Sequence, residues 1–284
     1  MRLTIITINR DNEAGLRKTI ESVLSQSCMD FEYVIVDGAS KDESVEVIQQ
    51  YARHFGDRMK WISEPDTGIY NAMNKGIRLA TGEYVEFLNS GDCLASEDVV
   101  AKMFVALDQC GFPSILYGNM LKNMPEGFKL KDRGFAGREI TLLSFYSGTL
   151  NHSPAFIRRT LFDKYGMYDE ELKIVSEWKW VMQVIIIGKE RPNYVDLDVT
   201  LFDMHGISET NKELCQKERQ AVLTSLFPST VLEDYKRWSF PIRQMQRLKR
   251  HLWAYSLVWF IERCLFKGEQ FVQRQKREIT FDSL

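Results

Sequence analysis

Phe31-Glu32-Tyr33-Val34-Ile35-Val36-Asp37-Gly38-Ala39-Ser40 changes character within a few residues. The first six are apolar, aromatic or β-branched at all but one position, the pattern of a buried strand, and the run stops at Asp37. Ser40 and Glu43 have the spacing of a capping box, with the serine bonding the backbone N–H of Glu43 and the glutamate reaching back. Val45, Ile48, Ala52 and Phe55 then recur on one helical face. A strand that passes through a polar turn into a helix is the first part of a βαβ unit.

The same alternation extends in both directions. Residues 3–7 form an earlier apolar strand, followed by Leu16, Ile20, Val23 and Leu24 at helical spacing. Downstream, strands are expected at 59–62, 84–88 and 114–117. Between them lie helices carrying Ile69, Ala72, Met73, Ile77 and Ala80, then Val99, Val100, Met103, Phe104 and Leu107. This pitch predicts an α/β fold with a mainly parallel central sheet flanked by helices. Ligands of such sheets bind beyond the carboxyl ends of the strands. That rule selects three polar loops: Thr7 to Asn9, Asp37 to Ser40, and Asn89 to Asp92. Beyond residue 120 the pattern loosens. Gly127, Gly134 and Gly137 mark a loop-rich segment, a helix is expected from Ser176 through 187, a strand at 194–202, and helices from Lys212 onward. The expected division is 1–120, 121–210 and a helical extension at 211–284.

Bulk properties narrow the function. The 284 residues are 44% hydrophobic, enough for a sizeable core, and the formal net charge is -2, which argues against nucleic acid as a partner. Five scattered cysteines without a CxxC pair fit a reducing cytoplasm rather than a disulfide framework. The N-terminal apolar run is too short for a signal peptide, and no run of 18 apolar residues predicts a membrane span. Residues 236–277 hold eleven Lys/Arg against two Glu, a local +9, leaving -11 for the rest. Within that tail, Leu252, Trp253, Tyr255, Leu257, Trp259, Phe260, Ile261, Leu265 and Phe266 stand among cations, the composition of an interfacial anchor. A helix packed on the catalytic domain or on a second subunit fits the same composition.

The three loops carry the candidate chemistry. Asp92, in Leu88-Asn89-Ser90-Gly91-Asp92, is placed to hold a divalent cation beside a diphosphate. By position alone a turn-forming Asp explains it better. Gly91 allows close approach of a ligand. Asp37 can accept hydrogen bonds from a nucleoside, or simply end the strand. In the segment from Glu64 to Gly76, Asn71, Asn74 and Lys75 share a helix face, turned either to a nucleotide or to solvent.

Taken together, Thr7-Ile8-Asn9, Asp37-Gly38-Ala39-Ser40, Asp66-Thr67-Gly68-Ile69-Tyr70-Asn71-Ala72-Met73-Asn74-Lys75-Gly76 and Leu88-Asn89-Ser90-Gly91-Asp92 resemble the family 2 glycosyltransferases, in the branch that builds bacterial surface polysaccharides. The resemblance implies a GT-A fold and an inverting transfer from a nucleotide-sugar, a UDP-sugar foremost, to a glycan or lipid-linked acceptor. It implies Thr7, Asn9, Asp37, Asp66, Asn74, Lys75, Asn89, Gly91 and Asp92 at the donor, with Asp92 on Mg2+ or Mn2+. Two positions depart from the family pattern. Gly38 stands where a second Asp is usual, and the metal loop keeps one carboxylate, so the diphosphate is expected to complete the metal shell. Tyr168-Asp169-Glu170 ahead of Ser176-Glu177-Trp178 aligns Glu177 with the catalytic base. His152, Trp178 and His205 are candidates for acceptor or diphosphate contact. A nucleotide-sugar-binding scaffold without catalysis, at the membrane surface, is the alternative. A nucleotidyltransferase is disfavoured, since Asn9-Arg10-Asp11-Asn12 replaces its glycine-rich loop. The place expected is the cytoplasm or the inner face of the membrane, with a homo-oligomer left open.

Overall fold

The computed structural model describes residues 1–124, 127–136, 138–204, 211–249 and 256–266. The chain divides into two compact units, Met1–Ser225 and Leu226–Leu284. The first is built on one sheet. β1 (Leu3–Asn9) and β2 (Phe31–Asp37) are buried along their whole length, as strands covered on both faces must be. β3 (Met59–Ser63) and β4 (Tyr84–Phe87) complete a parallel group in the order β3-β2-β1-β4.

Beyond β4 the directions mix. β5 (Cys93–Leu94), β6 (Ile115–Asn123), β7 (Lys129–Asp132), β8 (Ala155–Arg158) and β9 (Asn193–Phe202) continue the order as β4-β8-β6-β9-β5, with β7 hairpinned on β6. β8 runs antiparallel to both β4 and β6, while β9 is parallel to β6. The segment expected to be loop-rich contains β7, and β8 and β5 are too short to leave a periodic signal.

The helices pack by the faces the sequence showed. α1 (Glu13–Leu24) buries Leu16, Ile20 and Val23, and α2 (Ser44–Phe55) buries Val47, Ile48 and Phe55. α3 (Ile69–Leu79) buries Tyr70, Met73 and Ile77, and α4 (Val99–Gln109) buries Val100, Met103 and Leu107. Each such side chain contributes about 1.5–3 kcal/mol relative to exposure. Asn12 caps α1 by accepting from Gly15 N at 3.2 Å. The expected capping box is not formed. α2 begins only at Ser44, and Ser40 bonds the Asp37 carboxylate instead. Short helices α5 (Leu142–Ser147) and α6 (Thr160–Tyr165) follow, then α7 (Ser176–Met182), which continues as a wider π turn over Gln183–Ile187. α8 (Lys212–Leu226) ends the first unit.

Register sets what meets at the strand ends. Asn9 pairs with Asp37 across β1 and β2. Cys93 pairs antiparallel with Leu201, which puts Asp92 beside the end of β9. Lys122 pairs with Phe202 at the same end. In the second unit, α9 (Ser229–Lys249) contains Pro241, and a further helix covers 256–266. Leu257, Trp259, Phe260, Ile261, Leu265 and Phe266 are exposed there, and the Arg263 guanidinium lies 5.1 Å from the Trp259 ring centre. Among the described residues no helix is long and apolar enough to cross a membrane. Leu252, Trp253 and Tyr255 lie outside the described residues.

Candidate active site

A cleft opens at the carboxyl ends of β1 and β4, where Asn12, Asn89, Ser90, Asp92, His152 and Glu177 come together with Tyr70, Phe202 and Asp203. The β4 loop supplies one side. Asp92 is 4% exposed, and its Oδ1 accepts from Asp203 N at 2.8 Å. Burial pushes its carboxyl up to about 7, offset in part by that N–H and reinforced by the Asp203 charge. Thr19 Oγ1 donates to Asp92 O at 2.7 Å and accepts from Gly91 N at 3.0 Å, fixing the loop on α1. Gly91 has φ +105°, and a Cβ there would fall 2.8 Å from an Asp203 carboxylate oxygen. Asn89 Oδ1 is buried without a hydrogen-bond partner at the cleft.

Asp203 lines the cleft as a second carboxylate beside that of the Asn89–Asp92 loop. It follows the carboxyl end of β9, so the rule that selected the other loops would have selected it too, had the strand been placed in the sheet. Among the described residues no group of three or more His, Cys, Asp or Glu side chains converges as a metal site.

Glu177 forms the other side, in the first turn of α7. Tyr70 OH donates to Glu177 Oε2. Burial raises the Glu177 carboxyl to about 7 against the pull of the Tyr70 bond, its own backbone N–H and the Arg219 charge. The loop before it is held from α8: Glu218 accepts from the N–H groups of Lys173, Ile174 and Val175 at 2.7, 2.9 and 3.2 Å. Glu218 and Tyr70 were not singled out in the sequence. The contacts that define them span 43 to 107 residues, so no local pattern announces them. His152 lies at the cleft with Nε2 buried and unpartnered, and burial lowers its imidazole to about 4, so it is neutral.

Other expected donor contacts bond largely within the protein, while Asn9 Oδ1 is buried without a partner. Thr7 is fully buried, with Oγ1 donating to Leu88 O at 2.7 Å and bonded to Tyr33 OH at 2.9 Å. Asp37 is fully buried as well. It accepts from Asn9 Nδ2, Ser40 N and Ser63 Oγ at 2.9, 2.9 and 2.7 Å, and from Ser40 Oγ. Burial raises its carboxyl, but these bonds outweigh that and hold it below the ordinary range. Asp66 accepts from Gly68 N at 3.1 Å and faces Arg10 at 3.7 Å. A Cβ on Gly38 would lie 2.3 Å from Asp66 Oδ2, so the Asp66 carboxylate fills the space of the side chain missing at 38.

The polar face of α3 makes hydrogen bonds within the protein. Asn74 Nδ2 donates to Tyr168 O and Glu170 Oε1 at 2.9 and 2.8 Å, and Asn74 Oδ1 accepts from Tyr168 N at 3.0 Å. Asn71 Nδ2 donates to Glu170 Oε2 at 2.8 Å. Lys75 donates to Pro65 O at 2.8 Å and pairs with Glu64 at 2.8 Å. Trp178 is 2% exposed, its Nε1 donating to Phe145 O and Gly148 O, so it ties α7 to the α5 segment. His205 lies outside the described residues.

The family model described as Glycosyl transferase family 2 matches residues 3–169. The chain is a family 2 glycosyltransferase. The transferase is 26% identical over 226 residues to a PGL/p-HBAD biosynthesis glycosyltransferase of Mycobacterium bovis (strain BCG / Pasteur 1173P2), covering 79% of this chain and 86% of that one. It is 30% identical to an uncharacterized glycosyltransferase of Mycobacterium tuberculosis (strain ATCC 25618 / H37Rv) over 72% of this chain and 76% of the relative. Its fold matches S. aureus TarS 1-349 in complex with UDP at TM-score 0.60 and 19% identity, over 71% of this chain and 60% of that one. The mannosyltransferase PcManGT from Pyrobaculum calidifontis, in complex with GDP-Man and Mn2+, matches at TM-score 0.59 and 17% identity over 78% and 64%. The fold of the transferase is accordingly the GT-A type.

Proposed function

We propose that this transferase is an inverting enzyme that moves a sugar from a nucleotide-sugar, a UDP-sugar foremost, to a glycan or lipid-linked acceptor. The observation that carries the reading is a single cleft lined by both Asp92 and Glu177. Inversion needs a base opposite the leaving group. Glu177 takes the proton of the acceptor hydroxyl as its oxygen attacks the anomeric carbon, and the nucleoside diphosphate departs on the Asp92 side. A carboxyl poised near 7 suits that base at neutral pH.

The donor side fits a hard cation. Asp92 and Asp203 bring two carboxylates together beside a glycine, a set with room for oxygens from a diphosphate. Mg2+ or Mn2+ held by Asp92 and Asp203 would offset the charge of the leaving diphosphate. Asn89 Oδ1, buried and unpartnered, is a ready acceptor for a donor hydroxyl. Asn9 and Asp37, bonded to each other, shape the nucleoside end with Asp66 against Gly38, and Thr7 lies behind them. The complexes of TarS with UDP-GlcNAc and of PcManGT with GDP-Man and Mn2+ support a nucleotide-sugar donor for this fold.

The exposed aromatic face at 256–266 and the local +9 charge support a place on the anionic inner face of a membrane. The test of the catalytic reading is donor turnover by Asp92→Ala and Glu177→Gln proteins. Activity lost in both is expected, and wild-type turnover in both would reject the assignment. A panel of UDP-, GDP- and dTDP-sugars with Mn2+, read by thermal stabilisation, identifies the base.

A further inference from the structure

α8 meets the protein with one acid among its buried residues. Along 15 residues it buries Glu218, Val222 and Leu223, with Val222 one turn after the acid. A carboxylate is costly to bury unless its oxygens are bonded. Both oxygens of Glu218 are bonded here, and by backbone: Oε1 accepts from Lys173 N at 2.7 Å, and Oε2 from Ile174 N and Val175 N at 2.9 and 3.2 Å. Glu218 itself stands outside the described lining of the cleft. The donor chemistry leaves this carboxylate unexplained.

The three N–H groups it collects lie just ahead of α7. Val175 is the N-cap position of that helix and has no side chain able to accept, so the start of α7 is fixed from another element. Glu177 follows two residues later, and Lys173 and Ile174 line the same cleft. Trp178 comes next. Its Nε1 donates to Phe145 O and Gly148 O, and the Arg219 guanidinium of α8 sits 4.9 Å from its ring centre. α8 therefore grips the chain on both sides of Glu177, through Glu218 on the loop and Arg219 on Trp178. Tyr70 bonds the Glu177 carboxyl itself, whereas Glu218 sets the backbone that carries it.

We propose that Glu218 is a positioning residue for the transfer: from α8 it holds the loop before α7 so that the Glu177 carboxylate stands in the cleft, within reach of the hydroxyl it deprotonates. This rests on Glu177 being the base, and Glu218 acts only through it. The groups of the donor side, Asn89, Asp92 and Asp203, belong to the segments after β4 and β9 and do not depend on this loop. Loss of the three bonds therefore leaves the donor seated and lets the base drift. A displacement of about 1 Å at a reacting group costs about a hundredfold in rate.

The test uses the full chain with Mn2+ and whichever UDP-, GDP- or dTDP-sugar most raises the wild-type Tm, read as release of the nucleoside diphosphate with water as acceptor. Glu218→Ala is compared with Val222→Ala, which weakens the same helix and leaves the loop bonds intact, at a temperature where melts show both folded. In Glu218→Ala kcat is expected to fall about ten- to a hundredfold with donor affinity within about threefold of wild type, while Val222→Ala keeps its kcat. Adding Glu218→Ala to Glu177→Gln should cost nothing more, because residues that act as a unit are not additive. Should Glu218→Ala not fold, Glu218→Gln, which keeps one accepting oxygen, takes its place in both comparisons. Wild-type kcat in the folded Glu218 variant, an equal loss in Val222→Ala, or the full loss repeated in the Glu177→Gln background would overturn the proposal. Wild-type turnover by Glu177→Gln alone is a separate failure, of the base reading.

Discussion

The Asn89–Asp92 loop and the polar face of α3 look alike in sequence and have opposite fates. Both set Asn beside a charged residue, and both belong to the stretches that resemble the family. The loop turns its groups to the cleft and leaves Asn89 Oδ1 unpartnered. The helix spends every amide group on the protein: Asn71 and Asn74 clamp Tyr168 and Glu170, and Tyr70 reaches Glu177. These bonds make the motif a brace, tying α3 to the segment that carries Glu170 and Glu177. Satisfied polar groups build structure, and unsatisfied ones mark a site.

The contrast breaks if stability and activity fail to separate along it. The largest effect is expected at the loop. Asp92→Ala should lower kcat/KM by about 10²–10³, the scale of a lost electrostatic contact at a developing charge. Its Tm should hold, since burial already penalises that carboxylate. Steady-state kinetics and a thermal melt on one preparation check both. A drop in Tm with unchanged kinetics would place Asp92 among the structural residues.

At the brace the order reverses. Asn74→Ala leaves Tyr168 N and O without their buried partner, a cost of about 2 kcal/mol. That is a fall in Tm of roughly 4–8 °C for a unit of this size. Donor affinity, read by titration calorimetry with a UDP-sugar and Mn2+, should stay near wild type in the folded protein. Asn89→Ala is the mirror case, with Tm kept and donor affinity reduced.

The smallest effect sits where the two regions touch. Glu177 stands at about 7 against an ordinary 4.5, so the base form accumulates as pH rises and the rate should climb through about 7 to a plateau. The stability it contributes runs the other way, present below about 4.5 and lost as pH rises through 7. Tyr70→Phe removes a bond that favours the carboxylate. The acid limb of kcat/KM should move upward by about one unit, lowering the rate about tenfold below the limb. A rate loss with an unmoved pH profile would make Tyr70 a packing residue only.

How far the molecule was legible follows from the range of its contacts. The parallel strands and the burying faces of α1 to α4 are written locally, by short apolar runs and a period of 3.6, and they emerged where expected. Asn89 and Asp92 were found because they follow a strand directly. Asp203 follows one too, but β9 joins β6 and β5 after intervening antiparallel pieces, and four-residue β8 leaves no pattern to count. Helical spacing shows that Asn71, Asn74 and Lys75 share a side, yet cannot say what that side meets. Glu218 caps the loop before Glu177 from α8, a relation only the folded chain contains.

The central claim is that one cleft joins a donor site at Asp92 to a base at Glu177. Glu177→Gln keeps the shape and an acceptor for the Tyr70 hydroxyl while removing the basic oxygen. The direct measurement is transfer rate and donor affinity of this variant, side by side, with the donor that best stabilises the wild type. The account expects donor affinity within about twofold of wild type and transfer reduced by about 10²–10⁴. Transfer within tenfold of wild type at unchanged donor affinity would contradict it.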